Sequence, residues 1–170
     1  MLTDTIIDQQ LYRLNYECCF FPRTKITLDF NGATKNIEDI QEGDYVLSYN
    51  VNLNKNYISC VHKKIIHRHT TDKAILTCEN GTILNMRPYH PLYTNEGWKS
   101  LTEYKNFPLL KIRDELKTIN GYTKLINVSY ETVSPIDTYT LSVVDLDEIY
   151  DNDENDNYYA NGICAHNKAC

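Results

Sequence analysis

The run Ala74-Ile75-Leu76-Thr77-Cys78-Glu79-Asn80-Gly81-Thr82-Ile83-Leu84 sets two β-prone stretches on either side of an Asn-Gly pair. Asn-Gly supplies the two positive φ angles of a type I′ turn, so the run reads as a β-hairpin. The pair recurs as Asn31-Gly32, Asn120-Gly121 and Asn161-Gly162, each between β-prone runs. Lys25-Ile26-Thr27-Leu28 precedes the first of these, and residues 116–119 and 122–126 flank the second. The 14 tyrosines and the many Ile, Val and Thr residues fit strands, and capped helical periodicity is missing after residue 20. The chain therefore predicts an all-β fold. One exception is residues 1–16, where Ile6, Ile7, Leu11 and Leu14 fit either one side of a helix or a flanking segment. A second local signal lies in residues 36–49, where a short helical turn is expected to end at Gly43 and a strand to begin at Tyr45.

At 170 residues, with 42% hydrophobic and 24% charged, the chain describes one ordinary domain able to build a core without disulfides or metals. The formal charge of -6 argues against a general nucleic-acid binder, which needs clustered Lys and Arg. That charge is concentrated: Asp145, Asp147, Glu148, Asp151, Asp153, Glu154 and Asp156 lie together without a base, leaving the rest of the chain near neutral. This stretch reads as a solvated insertion. It opens like a calcium loop at Asp151, Asp153 and Asn155, but Asp156 stands where the sharp-turn Gly belongs and Gly162 where the bidentate Glu belongs. No apolar stretch is long enough for a membrane span, and residues 1–10 lack the pattern of a secretory signal, so an intracellular, cytoplasmic monomer is expected. The 6 cysteines, Cys18, Cys19, Cys60, Cys78, Cys164 and Cys170, are not spaced as a disulfide framework. Which of them is reactive becomes the informative question.

Three ordered groups of motifs bear on it. The first is Cys19-Phe20, Thr24-Lys25-Ile26, Lys35-Asn36-Ile37-Glu38-Asp39-Ile40 and Gly43-Asp44-Tyr45-Val46-Leu47-Ser48-Tyr49. The second is Gly81-Thr82-Ile83-Leu84, His90-Pro91-Leu92 and Gly97-Trp98. The third is Tyr139-Thr140-Leu141-Ser142-Val143, Asn157-Tyr158-Tyr159-Ala160-Asn161-Gly162-Ile163 and His166-Asn167. In this order and spacing they resemble the blocks of the Hedgehog/intein (Hint) superfamily, across residues 19–167. The resemblance implies a compact, pseudo-two-fold horseshoe of β-hairpins with its ends close together. It divides the chain into a flanking segment 1–18, a self-processing domain 19–167 and flanking residues 168–170. Residues 99–138, between the second and third groups, are too few to hold the homing endonuclease that many inteins carry, so a minimal domain is expected.

The residues can support the implied chemistry. The Cys19 thiol can attack the carbonyl carbon of Cys18 through a five-membered ring, turning the peptide bond into a thioester, with the gain of an intramolecular attack. The amide nitrogen leaves only once protonated, and His90 matches the family position for that acid and base role. At the other end the Asn167 side-chain amide can attack its own carbonyl carbon, forming a succinimide and releasing residues 168–170. His166 can protonate or polarise that carbonyl or the leaving amine, and backbone donors near Asn161-Gly162 are candidates for the oxyanion. If residues 163–166 are extended, Cys164 and His166 share one face and Ile163 and Ala165 the other. The resemblance implies no cofactor and no metal; the partners are the chain's own flanking segments, and the activity is single-turnover self-cleavage rather than that of a turnover enzyme.

Three departures bear on the outcome. Lys168 comes directly after Asn167 where splicing inteins place Cys, Ser or Thr, Arg87 replaces the usual Thr three residues before His90, and Thr140 replaces an Asp. These changes resemble bacterial intein-like domains, in which cleavage competes with or replaces ligation; Cys170 is a conceivable substitute nucleophile. Three alternatives stand beside self-processing. One is a zinc module built on Cys60-x-His62, His67-x-His69 and Cys164-x-His166, whose single-residue gaps are shorter than structural zinc sites use. Another is an inactive Hint-like β scaffold, and the third a cysteine hydrolase using Cys19 and His90 on other proteins.

Overall fold

The computed structural model describes residues 19–103, 106–145 and 156–167. The expectations for residues 1–18, Cys170, Lys168 and the acidic and calcium-like stretch before Asp156 lie outside the described residues. Within them the fold is all-β, as the Asn-Gly and Ile/Val/Thr/Tyr pattern predicts. Eleven strands succeed one another: β1 (Lys25–Thr27), β2 (Thr34–Asn36), β3 (Tyr45–Asn50), β4 (Lys55–Cys78), β5 (Ile83–Met86), β6 (Leu92–Thr94), β7 (Gly97–Lys99), β8 (Glu115–Lys117), β9 (Tyr122–Asp145), β10 (Asn157–Ala160) and β11 (Ile163–His166). They form one antiparallel sheet in the order β2-β1-β10-β11-β6-β8-β9-β4-β3, with β5 on β4 and β7 on β6.

Two 24-residue strands, β4 and β9, make the spine, paired from Ser59↔Asp145 to Cys78↔Leu125. β-Branched and aromatic residues fill both, but the pairing is interrupted by register shifts between Val61 and Lys63, His67 and Thr70, Thr70 and Asp72, and Thr77 and Cys78. Extra residues at such bulges bend a strand and re-aim its side chains. His69 takes a φ of +63° there, and Thr70 and Thr138 hydroxyls meet at 2.7 Å inside the bend. The first part of β4 pairs with β3 and its last part with β5, so one strand serves two hairpins.

The main core collects Phe20, Ile37, Leu76, Met86, Leu116 and Tyr158, all fully buried, with their neighbours. A smaller cluster gathers Leu47, Tyr49, Tyr159 and Cys164. Strand β11 feeds both: Ile163 and Ala165 enter the main core and Cys164 the smaller one, the alternation the sequence predicts. Asn157 on β10, an interior strand, ties that part of the sheet to β3 at one end of the path. Its side-chain amide donates to the Tyr49 carbonyl at 2.7 Å and accepts from the Tyr49 N–H at 2.8 Å, standing in for a strand partner of β3.

The hairpin expectation needs one correction. Only Asn161-Gly162 places both residues at positive φ (+48° and +77°) in a two-residue connection. The Asn31-Gly32 and Asn80-Gly81 connections are longer: Gly32 and Gly81 donate back to Asp29 and Cys78 and carry the single positive φ that closes the loop. In the Asn120-Gly121 loop neither residue has positive φ. The helical turn Ile37–Asp39 also ends before Gly43, which at φ +90° hands the chain into β3 by donating to Val61.

Candidate active site

Phe20 opens the site. It bridges β9 and β5 at once, donating to the Tyr139 carbonyl at 2.7 Å and accepting from Tyr139 N–H at 2.8 Å, with Met86 opposite on the other side. Cys19, immediately before it, is 1% exposed, and its carbonyl accepts a 2.9 Å bond from the Arg87 N–H. Arg87 begins a turn, closed by His90 N–H donating to the Arg87 carbonyl at 3.3 Å, with Pro88 at the second position where its fixed φ fits. The turn delivers the buried His90 ring to the Phe20 ring, centroids 4.3 Å apart. Cys19 and His90 are thus both held to Phe20 and to the Arg87 turn.

Strand β11 brings the other two residues. His166 N–H donates to the Pro91 carbonyl at 3.0 Å, and Ala165 pairs with Leu92. The His166 ring lies edge-on to Trp98 at 4.8 Å and to Phe107 at 5.7 Å. His90 Nε2 is 2.9 Å from the His166 carbonyl oxygen. A carbonyl only accepts, so Nε2 carries the proton and, in the neutral ring, Nδ1 is the basic nitrogen. By the same reasoning His166 Nδ1 donates to the carbonyl oxygen of Asn167, on the carbon that cyclisation would attack. Asn167 is 1% exposed; its N–H donates to the Asp156 carbonyl at 2.8 Å, and its Oδ1 accepts from Val143 N–H at 3.0 Å. All four sequence-predicted residues, Cys19, His90, His166 and Asn167, therefore lie in one buried neighbourhood.

The Asn161-Gly162 turn does not join them. It sits at the opposite end of β11 from Asn167, with Asn161 N–H donating to Lys25, its Nδ2 to Ile83, and its Oδ1 accepting from Lys25. The donor at the Asn167 carbonyl is His166. The departures find partners. Thr140 and Tyr158 hydroxyls meet at 3.1 Å, buried beside Phe20, whose ring stands edge-on to Tyr158 at 6.1 Å. The Arg87 guanidinium grips Asp72 on β4, Nε to Oδ1 at 2.8 Å and Nη2 to Oδ2 at 3.3 Å. The sequence marked Arg87 and Thr140 as unusual but held no sign of Asp72 or of Val143, whose contributions come from strand register.

Burial sorts the other thiols. It pushes Cys78 up to about 11 and Cys164 higher still, so both stay protonated near neutral pH and are poor nucleophiles. Among the described residues no three His, Cys, Asp or Glu side chains gather to hold a metal ion, and the His and Cys pairs of the zinc alternative do not converge. Among those residues no helix is long and apolar enough to cross a membrane.

No family model and no curated protein matches the chain. Solved structures do. A bacterial intein-like domain from Clostridium thermocellum aligns over 88% of this chain and 98% of its own, with TM-score 0.70 and 23% identity. A DnaB intein from Synechocystis sp. PCC 6803 aligns over 88% and 98%, with TM-score 0.64 and 20% identity. The gp41-1 intein aligns over 88% and 98%, with TM-score 0.63 and 21% identity. The protein has the Hint fold shared by mini-inteins and bacterial intein-like domains.

Proposed function

We propose that this chain is an autocatalytic self-processing domain, residues 19–167, acting on flanking segments 1–18 and 168–170. The observation that carries the reading is that His90, packed against the ring of Phe20 next to Cys19, bonds the His166 carbonyl while the His166 ring bonds the Asn167 carbonyl, which brings residues proposed for both ends together. Cys19 Sγ bonds to the carbonyl carbon before it, the thiol proton passes through His90 Nδ1 to the departing Cys19 nitrogen, and a thioester replaces the amide. At the other end Asn167 Nδ2 bonds to its own carbonyl carbon while His166 Nδ1–H polarises the oxygen, the bond from that carbon to the Lys168 nitrogen breaks, and the proton given up by Nδ2 ends on the leaving amine. No cofactor or metal enters either step, and a reducing intracellular compartment suits the thiol. Lys168 offers no side-chain oxygen or sulfur to accept the acyl group, so cleavage is the expected product and splicing the lesser one.

The test is an intact-mass time course of purified protein near neutral pH, with and without dithiothreitol, beside Cys19→Ala and Asn167→Ala. Thiol-dependent loss of residues 1–18, abolished by Cys19→Ala, and loss of 168–170, abolished by Asn167→Ala, are expected. A peptide joining 1–18 to 168–170 would reveal splicing. Persistence of the full-length mass would defeat the reading and leave the inactive scaffold, which Arg87, Thr140 and Lys168 favour.

A further inference from the structure

Gly97-Trp98 has no part in either proposed step, yet the fold carries it to the same place. Leu92 on β6 pairs with Ala165 on β11 and both enter the main core, so strand alternation turns Tyr93 and His166 to the opposite face. Trp98 joins them there, because the connection at Asn95-Glu96 folds β7 back on β6 and sets Tyr93 opposite Trp98. Thr94 Oγ1 donates to the Gly97 carbonyl at 2.8 Å and accepts from the Glu96 N–H at 3.1 Å, and Gly97 closes the turn at φ +105°. The indole then stands near-perpendicular to the His166 ring, centroids 4.8 Å apart and planes at 70°. Phe107 meets the same imidazole at 5.7 Å and 67°. Ser100, just past Trp98, donates to the Pro108 carbonyl at 3.1 Å and accepts from Leu110 N–H at 2.7 Å, so both rings ride on one short ladder. Tyr93 backs the indole at 5.0 Å. The Trp98 Nε1–H is buried without an acceptor among the described residues, so ring contacts rather than a hydrogen bond account for its place.

We propose that Trp98 is a positioning residue for the C-terminal step, holding the His166 imidazole in the orientation that presents Nδ1–H to the Asn167 carbonyl. This rests on the self-processing reading above. The torsion that turns an imidazole about its Cβ is broad and roughly two-fold, so the ring on its own has little preference between an orientation and its half-turn. That half-turn puts a carbon, Cδ2, where Nδ1 stands and removes the donor from the Asn167 carbonyl. An imidazole set between two near-perpendicular rings has to displace one of them to turn, and Trp98 is the nearer and larger of the two. The Tyr93 ring behind the indole resists that displacement. The polarising donor is thereby in place before the Asn167 amide attacks, and the step begins from a fixed geometry. Trp98 acts through the imidazole, not on the reacting atoms.

The experiment compares wild type, Trp98→Phe, Trp98→Leu, His166→Ala and the Trp98→Leu, His166→Ala double variant in the full chain. Thiol-independent release of residues 168–170 and thiol-induced release of 1–18 are timed separately by intact mass, and circular dichroism reports the fold. Trp98→Leu is expected to slow release of 168–170 about tenfold, the scale of one lost aromatic pair, and to leave release of 1–18 within about twofold. Trp98→Phe keeps an aromatic ring there and regains most of the rate. In the His166→Ala background Trp98→Leu adds no further slowing, because no imidazole is left to position; a merely structural Trp98 would slow both ends in either background. A second readout needs no cleavage: nitrogen NMR of the labelled His166 imidazole in the Asn167→Ala chain. The Nδ1-protonated tautomer alone is expected there and with Trp98→Phe added, and a mixture of both tautomers with Trp98→Leu added. If Trp98→Leu fails to fold, Trp98→Met takes its place. Release of 168–170 at the wild-type rate in the folded Leu or Met variant, with the single tautomer kept, overturns this proposal and leaves self-processing standing. A wild type inert at both ends overturns self-processing, and the tautomer then decides by itself whether Trp98 orients the ring.

Discussion

At the residue scale the two histidines of the candidate site differ in tautomer. His90 spends its Nε2 proton on the His166 carbonyl and His166 its Nδ1 proton on the Asn167 carbonyl, so one is left with a base and the other presents an acid. His166→Ala is therefore expected to slow release of residues 168–170 about a hundredfold, while thiol-induced release of 1–18 keeps most of its rate. Mass spectrometry of both products checks this; equal slowing at the two ends would contradict the division. The four candidate residues could be singled out because their types and order match a known chemistry. Asp72 could not be, since an ion pair between β4 and the turn before His90 depends on a bulge, and nothing in residues near Asp72 in sequence announces the shift in register.

At the element scale the fold's all-β character was legible in β-branched runs punctuated by Asn-Gly, yet loop geometry was not. Asn-Gly fits several turn types, and the number of residues between the last paired positions selects among them. Residues 74–77 and 83–86 illustrate this: their pairing begins at Thr77↔Ile83, leaving too many residues for a type I′ turn at Asn80-Gly81. The Asn157 amide was equally hidden, because a side chain acting as a strand partner has no periodic signature. Asn157→Ala would strand the buried N–H and C=O of Tyr49 and is expected to cost about 2–4 kcal/mol of stability. Urea unfolding measures it, and a loss below about 0.5 kcal/mol would mean water replaces the amide.

At the scale of the whole molecule, stability is expected to fall on the alkaline side. An unfolded thiol ionises near 9.0, whereas buried Cys78 holds its proton to about 11. Below pH 9 both states are protonated and pH has no leverage through this group. Between pH 9 and 11 the unfolded chain binds fewer protons than the folded one, so stability declines as pH rises. Cys164 and Tyr49, the latter pushed up to about 12, act with the same sign, while Lys117, held below 10.5 by burial, opposes them. Urea midpoints from about pH 8 to 11 test this. Cys78→Ala lowers the whole curve by leaving a cavity, and flattens its slope over that window; an unchanged slope would remove Cys78 as a cause.

The position of β10 and β11 has a temporal meaning. Made last among the strands, they occupy the interior of the sheet, with β1 on one side and β6 on the other. A growing chain can assemble the β4–β9 ribbon and its hairpins beforehand, but the seam between β1 and β6 stays open until residue 166 has emerged. The carbonyl that His90 addresses arrives with that closing strand. Assembly of the candidate site therefore waits for β11 to be made, so on the self-processing reading synthesis itself is the clock.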